Sequence, residues 1–167
     1  MQPSVFISYN PNALIEETLA LRLHTIGAVN GLKMYLPERM DEIRGISPET
    51  QNRINYSDYY ILFSTTNKLS KIALEEIQFA FRKHNDKSRI IIIYDAAKGK
   101  NMHGTDNCTE QFFDRKKDTV EQFISEVIGI IMQHHEGQSK KQTEALGGLL
   151  LAGLGLLLLG AAFSGNK

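Results

Sequence analysis

Arg89 to Tyr94 reads RIIIIY, and its four consecutive isoleucines limit the fold more than any other stretch. A strand with one wet face alternates apolar and polar side chains. An unbroken β-branched run instead suits a strand covered on both faces, as in parallel sheets with helices above and below. The rest of the chain supplies further strands and the covering helices. Ser4 to Tyr9 (SVFISY) reads as a strand that stops at Asn10-Pro11-Asn12. Leu14, Leu19, Leu21, Leu23 and Ile26 form an amphipathic pattern ending near Gly27 and Gly31, which predicts a first helix.

Leu32 to Leu36 is a short strand closed by Pro37, and a polar loop runs on to Gly45. Pro48 opens a short helix carrying Ile54. Asp58 to Ser64 is a third strand, Ser70 to Lys83 a helix, and Gln111 to Phe113 a short fifth strand. Val120 to Met132 completes the pattern as a helix with apolar Phe123, Val127, Ile130 and Ile131. Strands alternating with helices predict an α/β fold, a flavodoxin-like doubly wound parallel sheet of about five strands.

Residues 1–135 account for that domain, and 136–144 read as a polar linker continuing the hydrophilic QHHEGQSKKQTE that starts at Gln133. Ala145 to Phe163 then runs 19 residues without a charge or a hydrogen-bonding side chain. As a helix it would span about 28 Å, the thickness of a bilayer's hydrocarbon, so 145–163 is expected to be transmembrane, with 164–167 as a short tail. Its five glycines are tolerated in lipid, where unbonded backbone amides have no other partner. Lys140 and Lys141 precede the run and only Lys167 follows, which places the large domain in the cytoplasm, anchored by its C-terminus. Gly148, Ala152 and Gly155 share one face, so the segment reads either as a plain anchor or as a self-associating one.

Lys and Arg number 19, as do Asp and Glu, and no global charge draws the chain to nucleic acid. Cys108 is the only cysteine, so no intramolecular disulfide forms. The five histidines lack ligand-like spacing, and no metal site is expected; His134 and His135 suit a helix C-terminus. The N-terminal residues show no basic, apolar signal pattern, and a cleaved leader is not expected.

The ordered set of segments resembles the TIR family, named for Toll and interleukin-1 receptors. Val5 to Tyr9 (VFISY) is similar to the family's first strand. Arg44-Gly45-Ile46 sits where its second-strand loop carries Pro-Gly-hydrophobic, and Ile54, Ser57, Asp58 and the strand ending at Ser64 match the approach to its third strand. Ser70 to Ile77 aligns with its Ser-x-Trp-Cys/Val-x-x-Glu-Ile/Leu segment.

The resemblance covers about residues 4–133. It implies cleavage of the nicotinamide-ribose bond of NAD⁺, taken as substrate with no cofactor, and it puts the catalytic glutamate on Glu76. Helical geometry places Glu76 along the Ala73-Ile77-Ala80 stripe facing the sheet, and leaves its neighbour Glu75 solvated beside Lys71, Gln78 and Phe79. The alternative for Glu76 is a plain helix-dipole role.

The resemblance further implies that the second-strand loop of one copy completes the site of another. Here that loop offers Glu38, Arg39, Arg44 and Gly45, and the alternative for the arginines is an ordinary solvated loop. Ser8, Tyr9, Asn10 and Ser64, at the carboxyl ends of strands, are further substrate-binding candidates. Tyr9 could stack on a base or simply fill core. Ile72 replaces the family's tryptophan, and Asn10-Pro11 replaces a basic pair found in some members.

Three functions stay open. One is an NAD⁺ nucleosidase, or a relative that cyclises or transfers the ADP-ribose, in immune, antiviral or cell-death signalling, activated by self-assembly, its nucleotide product read by a downstream protein. Another is a non-enzymatic TIR adaptor, and the third is a clustered glycine-rich tail that disturbs the bilayer.

Overall fold

The computed structural model describes residues 2–39 and 45–137. The expected transmembrane segment, its tail and most of the linker lie outside those residues, as does Arg44. Among the described residues no helix is long and apolar enough to cross a membrane.

Strands β1 (Ser4–Ser8), β2 (Lys33–Tyr35), β3 (Tyr59–Ser64), β4 (Ile90–Asp95) and β5 (Thr109–Phe113) form one parallel sheet in the order β2-β1-β3-β4-β5. That is the strand order of flavodoxin-like sheets, whose crevice opens at the carboxyl ends of β1 and β3. Every residue of β1, β3 and β4 is buried, as the isoleucine run requires, while β2 and β5 form the half-exposed edges.

The helices are α1 (Leu14–Val29), α2 (Pro48–Tyr56), α3 (Lys71–Lys83) and α4 (120–137). Ser47 and Ser70 cap α2 and α3 by accepting from the amides of Thr50 at 3.0 Å and Ala73 at 3.2 Å, satisfying donors the helix itself leaves free. Helix α1 closes in a Schellman turn. Gly31 adopts φ +82°, and Leu32 N donates to Gly27 O at 3.0 Å.

The apolar pattern of α1 translates only in part. Leu19, Ala20, Leu23 and Gly27 are buried, but Leu14 is 76% exposed and Leu21 48%, because the helix turns Glu16 inward and those leucines outward. Gly27 has a packing reason: a Cβ there would lie 2.8 Å from the sulfur of Met34 on β2. Against α2 and α3 the sheet presents Phe6, Tyr60, Leu62, Ile90, Ile92 and Tyr94, which close a core with Ile54, Ala73, Ile77 and Ala80.

Two compact units divide the chain at residues 129 and 130. In the first, α4 buries Phe123, Ile124 and Val127. The described part of the second is the end of α4, which continues past the expected stop at Met132 so that 133–137 are helical rather than linker.

Candidate functional site

The site begins with strand alternation. Successive side chains of a strand point to opposite faces, so Ser8 shares a face with Phe6, and the pairing of Phe6 with Tyr60 brings Tyr60 to the same side. Helix α3 covers that face. Its buried stripe is Ile72, Ala73, Glu76, Ile77 and Ala80, and the carboxylate on it meets the end of β1.

Glu76 is 1% exposed. The hydroxyl of Ser8 donates a short hydrogen bond to Oε2, and Nη1 of Arg39 donates to Oε1 at 2.7 Å. Arg39 reaches in from the loop after β2. Its Nη2 donates to the carbonyl of Tyr9 at 2.8 Å, and its guanidinium lies over the Tyr9 ring, 4.9 Å from the centroid. One arginine thus closes over the carboxylate and clamps the first residue beyond β1.

Burial pushes the Glu76 carboxyl from its ordinary 4.5 up to about 7, against the opposing pull of Arg39 and Ser8 and with a small push from Glu75. Desolvation penalises the charged form, and here it outweighs a cation and two hydrogen bonds. The group therefore exchanges its proton near neutrality, where a carboxyl can serve either as a charge stabiliser or as an acid.

Tyr60 lies beside it, fully buried. Its hydroxyl contacts the Ser8 hydroxyl at more than ordinary hydrogen-bond length. Burial first, then the charge of Glu76, hold its phenol well above the usual range, against a lowering pull from Ser8 and Arg39.

The other sequence candidates divide. Ser8, Tyr9 and Arg39 converge on Glu76. Tyr9 is 7% exposed with Arg39 across its ring, so in this state the ring has no free face for a base. Asn10 turns away: its side chain caps the local turn by accepting from Asn12 N at 3.0 Å and reaches Thr66 at 3.5 Å. Ser64 donates to Asn101 at 2.7 Å, toward the connection after β4 rather than toward Glu76. Ile72 is buried on α3. Gly45, at φ +73°, approaches Glu75, whose Oε2 would stand 2.9 Å from a Cβ there. Glu75 is consequently half-buried against the loop, not the freely solvated residue its position suggested.

Two residues escaped the sequence reading. Tyr60 was visible only as one of two strand tyrosines, and nothing local separates it from Tyr59. Glu16 resembles an ordinary acid in a helix's first turn, yet it is 0% exposed. Its Oε1 accepts from Thr65 N at 2.8 Å, Thr66 N at 2.9 Å and Thr65 Oγ1 at 3.1 Å, and its Oε2 from Asn10 N at 2.8 Å. That single carboxylate fastens the loop after β1 to the loop after β3.

Behind this fastening lies a cleft of about 430 Å³ lined by Asn12, Thr65, Thr66, Lys98 and Arg115 among others. None of the clefts described is lined by Glu76. Among the described residues no cluster of three His, Cys, Asp or Glu could hold a metal ion.

No family model matches the chain, and no curated protein does. Several solved structures are similar to it, among them the following two. One is the Clostridium botulinum CMP N-glycosidase BcmB, at 16% identity and TM-score 0.47 over 74% of this chain and 97% of that one. The other is a conserved protein from Enterococcus faecalis V583, at 9% identity and TM-score 0.47 over 75% of this chain and 99% of that one. A likeness this distant carries no functional argument.

Proposed function

We propose that this chain is a TIR-type NAD⁺ nucleosidase, anchored to a membrane by residues 145–163, with Glu76 as its catalytic carboxylate. The observation that carries the reading is the Glu76 carboxyl itself: buried to 1% exposure and held by Ser8 at the carboxyl end of β1 and by Arg39, with burial pushing its pKa up to about 7. A group of that kind is costly to keep, and such costs concentrate at reactive sites.

The chemistry needs one carboxylate. The bond between the anomeric carbon of the ribose and the ring nitrogen breaks with its electron pair going to nitrogen, and nicotinamide leaves neutral without protonation. Positive charge grows on the sugar as an oxocarbenium ion. Ionised Glu76 stabilises that charge, and water or a hydroxyl of the substrate then attacks the anomeric carbon and releases its proton to solvent, giving hydrolysis or cyclisation.

The site described here is closed, since Arg39 occupies Oε1 of Glu76. Catalysis requires Arg39 to give way to the ribose, and its guanidinium then suits the diphosphate, which it can grip through two parallel hydrogen bonds. Self-assembly that draws the loop after β2 onto a second copy supplies a reason for the arginine to move. Attachment to a bilayer raises local concentration and favours that assembly. A role in immune or cell-death signalling follows from depletion of NAD⁺ or release of a nucleotide product.

The test is full-length protein in lipid nanodiscs at low and high surface density, incubated with NAD⁺ and followed by mass spectrometry. Nicotinamide should appear at high density, and Glu76→Gln should slow it by about 10³-fold, the usual loss when a transition-state charge loses its partner. Undiminished release from Glu76→Gln would remove the assignment.

A second reading, a non-enzymatic adaptor, draws on the same ion pair: with Ser8 and Arg39 both bonded to it, Glu76 could be a structural brace. That reading expects no nicotinamide from the wild-type protein at any density.

A further inference from the structure

Glu16 is a buried carboxylate that the proposed chemistry does not use, and all four of its hydrogen bonds leave its own helix. Helix α1 starts after Ala13 without a side-chain cap, and an acid three residues on would ordinarily turn back to serve that end. The amide of Ala13 donates instead to the carbonyl of Asn10 at 3.0 Å. Glu16 is left to face outward from the helix, with Oε1 on Thr65 and Thr66 and Oε2 on the amide of Asn10, 2.8 Å away.

The peptide group between Tyr9 and Asn10 joins that last bond to the site. Its N–H donates to Glu16, and its carbonyl accepts from Nη2 of Arg39, also at 2.8 Å. Ser8 is the last residue of β1 to pair with β3, so this peptide lies past the end of the strand pairing and is gripped by side chains. Among the described residues the guanidinium of Arg39 is held at Oε1 of Glu76, at the Tyr9 carbonyl and over the Tyr9 ring. Two of those three holds are on Tyr9. Whatever fixes Tyr9 therefore fixes Arg39. A line of contacts runs from one buried carboxylate to the other, through the peptide and the guanidinium. An amide whose N–H donates to an anion also presents a more negative carbonyl, which tightens its hold on a cation.

We propose that Glu16 is a positioning residue: through the Tyr9–Asn10 peptide it holds Arg39 against Glu76, and so sets how firmly the site is closed. The proposal deepens the nucleosidase reading and rests on it only for what Glu76 does. Glu16 touches no reacting atom, and no covalent step is involved. Its other oxygen ties the same anchor to the loop after β3, so the closed state is secured from two central strands.

The titration of Glu76 tests this without any activity, in full-length protein with isotope-labelled glutamate, followed by NMR in nanodiscs at low surface density. Arg39 faces the carboxyl from the loop after β2, Ser8 from β1, Tyr60 from β3 and Glu75 from its own helix, and of these only Arg39 is a cation. Glu16→Gln can keep its oxygen on Thr65 and Thr66 while its amide nitrogen opposes the N–H of Asn10, which breaks the link to Tyr9. With Arg39 loosened, the Glu76 midpoint should rise by about 1 pH unit. Loss of the Glu16 charge by itself acts the other way, because a nearby anion disfavours a second one, so the sign decides. A midpoint that stays level or falls overturns the proposal. In an Arg39→Ala background the same substitution should raise the midpoint no further, and a further rise overturns the route through Arg39. Should Glu16→Gln fail to fold, Glu16→Asp keeps the charge, shortens the reach and carries the same expectation.

Thr65→Val separates positioning from general loosening. It removes the hydroxyl that donates to Glu16 at 3.1 Å and should lower Tm by about 2–4 °C with the Glu76 midpoint in place. A midpoint displaced as far as in Glu16→Gln would overturn the positioning role. In turnover, the acid limb of the pH profile of kcat/KM, which reports the free enzyme, should move up in Glu16→Gln, and an unmoved limb would overturn it as well. Absence of release from the wild-type protein removes the nucleosidase reading, and the titrations still decide what holds Arg39.

Discussion

Helix α3 buries an acid in its second turn and a base at its C-terminal cap, and the two ends handle the same problem differently. Glu76 is 1% exposed and His84 is 6%. Desolvation pushes each toward its neutral form, Glu76 up to about 7 and His84 down to about 4. At the Glu76 end, side chains from β1 and from the loop after β2 converge on the charge. At the His84 end the neighbouring Lys83, Arg89 and Lys87 repel a second positive charge, and Nε2 has no hydrogen bond. What separates the two ends is that Ser8 and Arg39, from two other segments, donate to the Glu76 carboxylate, while Nε2 of His84 receives and gives no hydrogen bond.

The comparison is open to experiment, and the largest effect expected is the 10³-fold loss of nicotinamide release in Glu76→Gln, set against full activity in His84→Leu. Equal losses would erase the distinction between the two ends. Next in size is Glu16→Gln. Both oxygens of Glu16 accept only from donors, so an amide would turn an N–H against another N–H, and chemical denaturation should show a loss of about 2–3 kcal/mol.

The pH dependence of stability then separates acid from base. Glu76 binds its proton more tightly folded than unfolded. Its stabilising contribution is complete below about 4.5 and is lost as pH rises through about 7. His84 has the opposite sign: its contribution is complete above about 6.5 and is lost as pH falls through about 4. Between these limits the two slopes oppose one another, and the wild-type curve should be nearly flat. Glu76→Gln should unmask stability that rises with pH. His84→Leu should unmask stability that falls by about 1 kcal/mol per pH unit. The histidine slope should be the smaller, since its ring borders an open cleft of about 470 Å³. Unfolding curves from pH 4.5 to 7 on the three proteins check this, and a wild-type curve as steep as either variant's would contradict it.

The smallest effect expected is at Gly45. Its φ of +73° disfavours any Cβ, and the atom an alanine would meet is the movable end of Glu75, so Gly45→Ala should cost about 1 kcal/mol while leaving the Glu76 titration in place. A displaced titration would instead show that Gly45 holds Arg39 in position.

Much of the architecture was readable along the chain because it rests on local chemistry. The four isoleucines foretold a strand with no wet face, and Pro48 marked the start of α2. The stripe through Ala73, Ile77 and Ala80 turned Glu76 inward and left Glu75 at its edge. Helix α1 was less legible, since it hides a carboxylate among its apolar residues and exposes leucines that looked like core. Glu76, Ser8, Tyr9 and Arg39 could be singled out along the chain and the fold brings them together, but how they meet was obscure. Ser64 and Asn10 were selected for standing at strand ends, but a strand end does not state which way a hydroxyl or an amide will turn.

Periodicity and turn chemistry, which act over a few residues, were enough to determine the alternation of strands and helices and the inward face of α3. Which long-range partners met was decided only in three dimensions. Glu76 and Ser8 are 68 residues apart, and Glu16 and Thr65 are 49. Hydrogen bonds over such separations depend on register and loop closure, and those are settled when the sheet assembles.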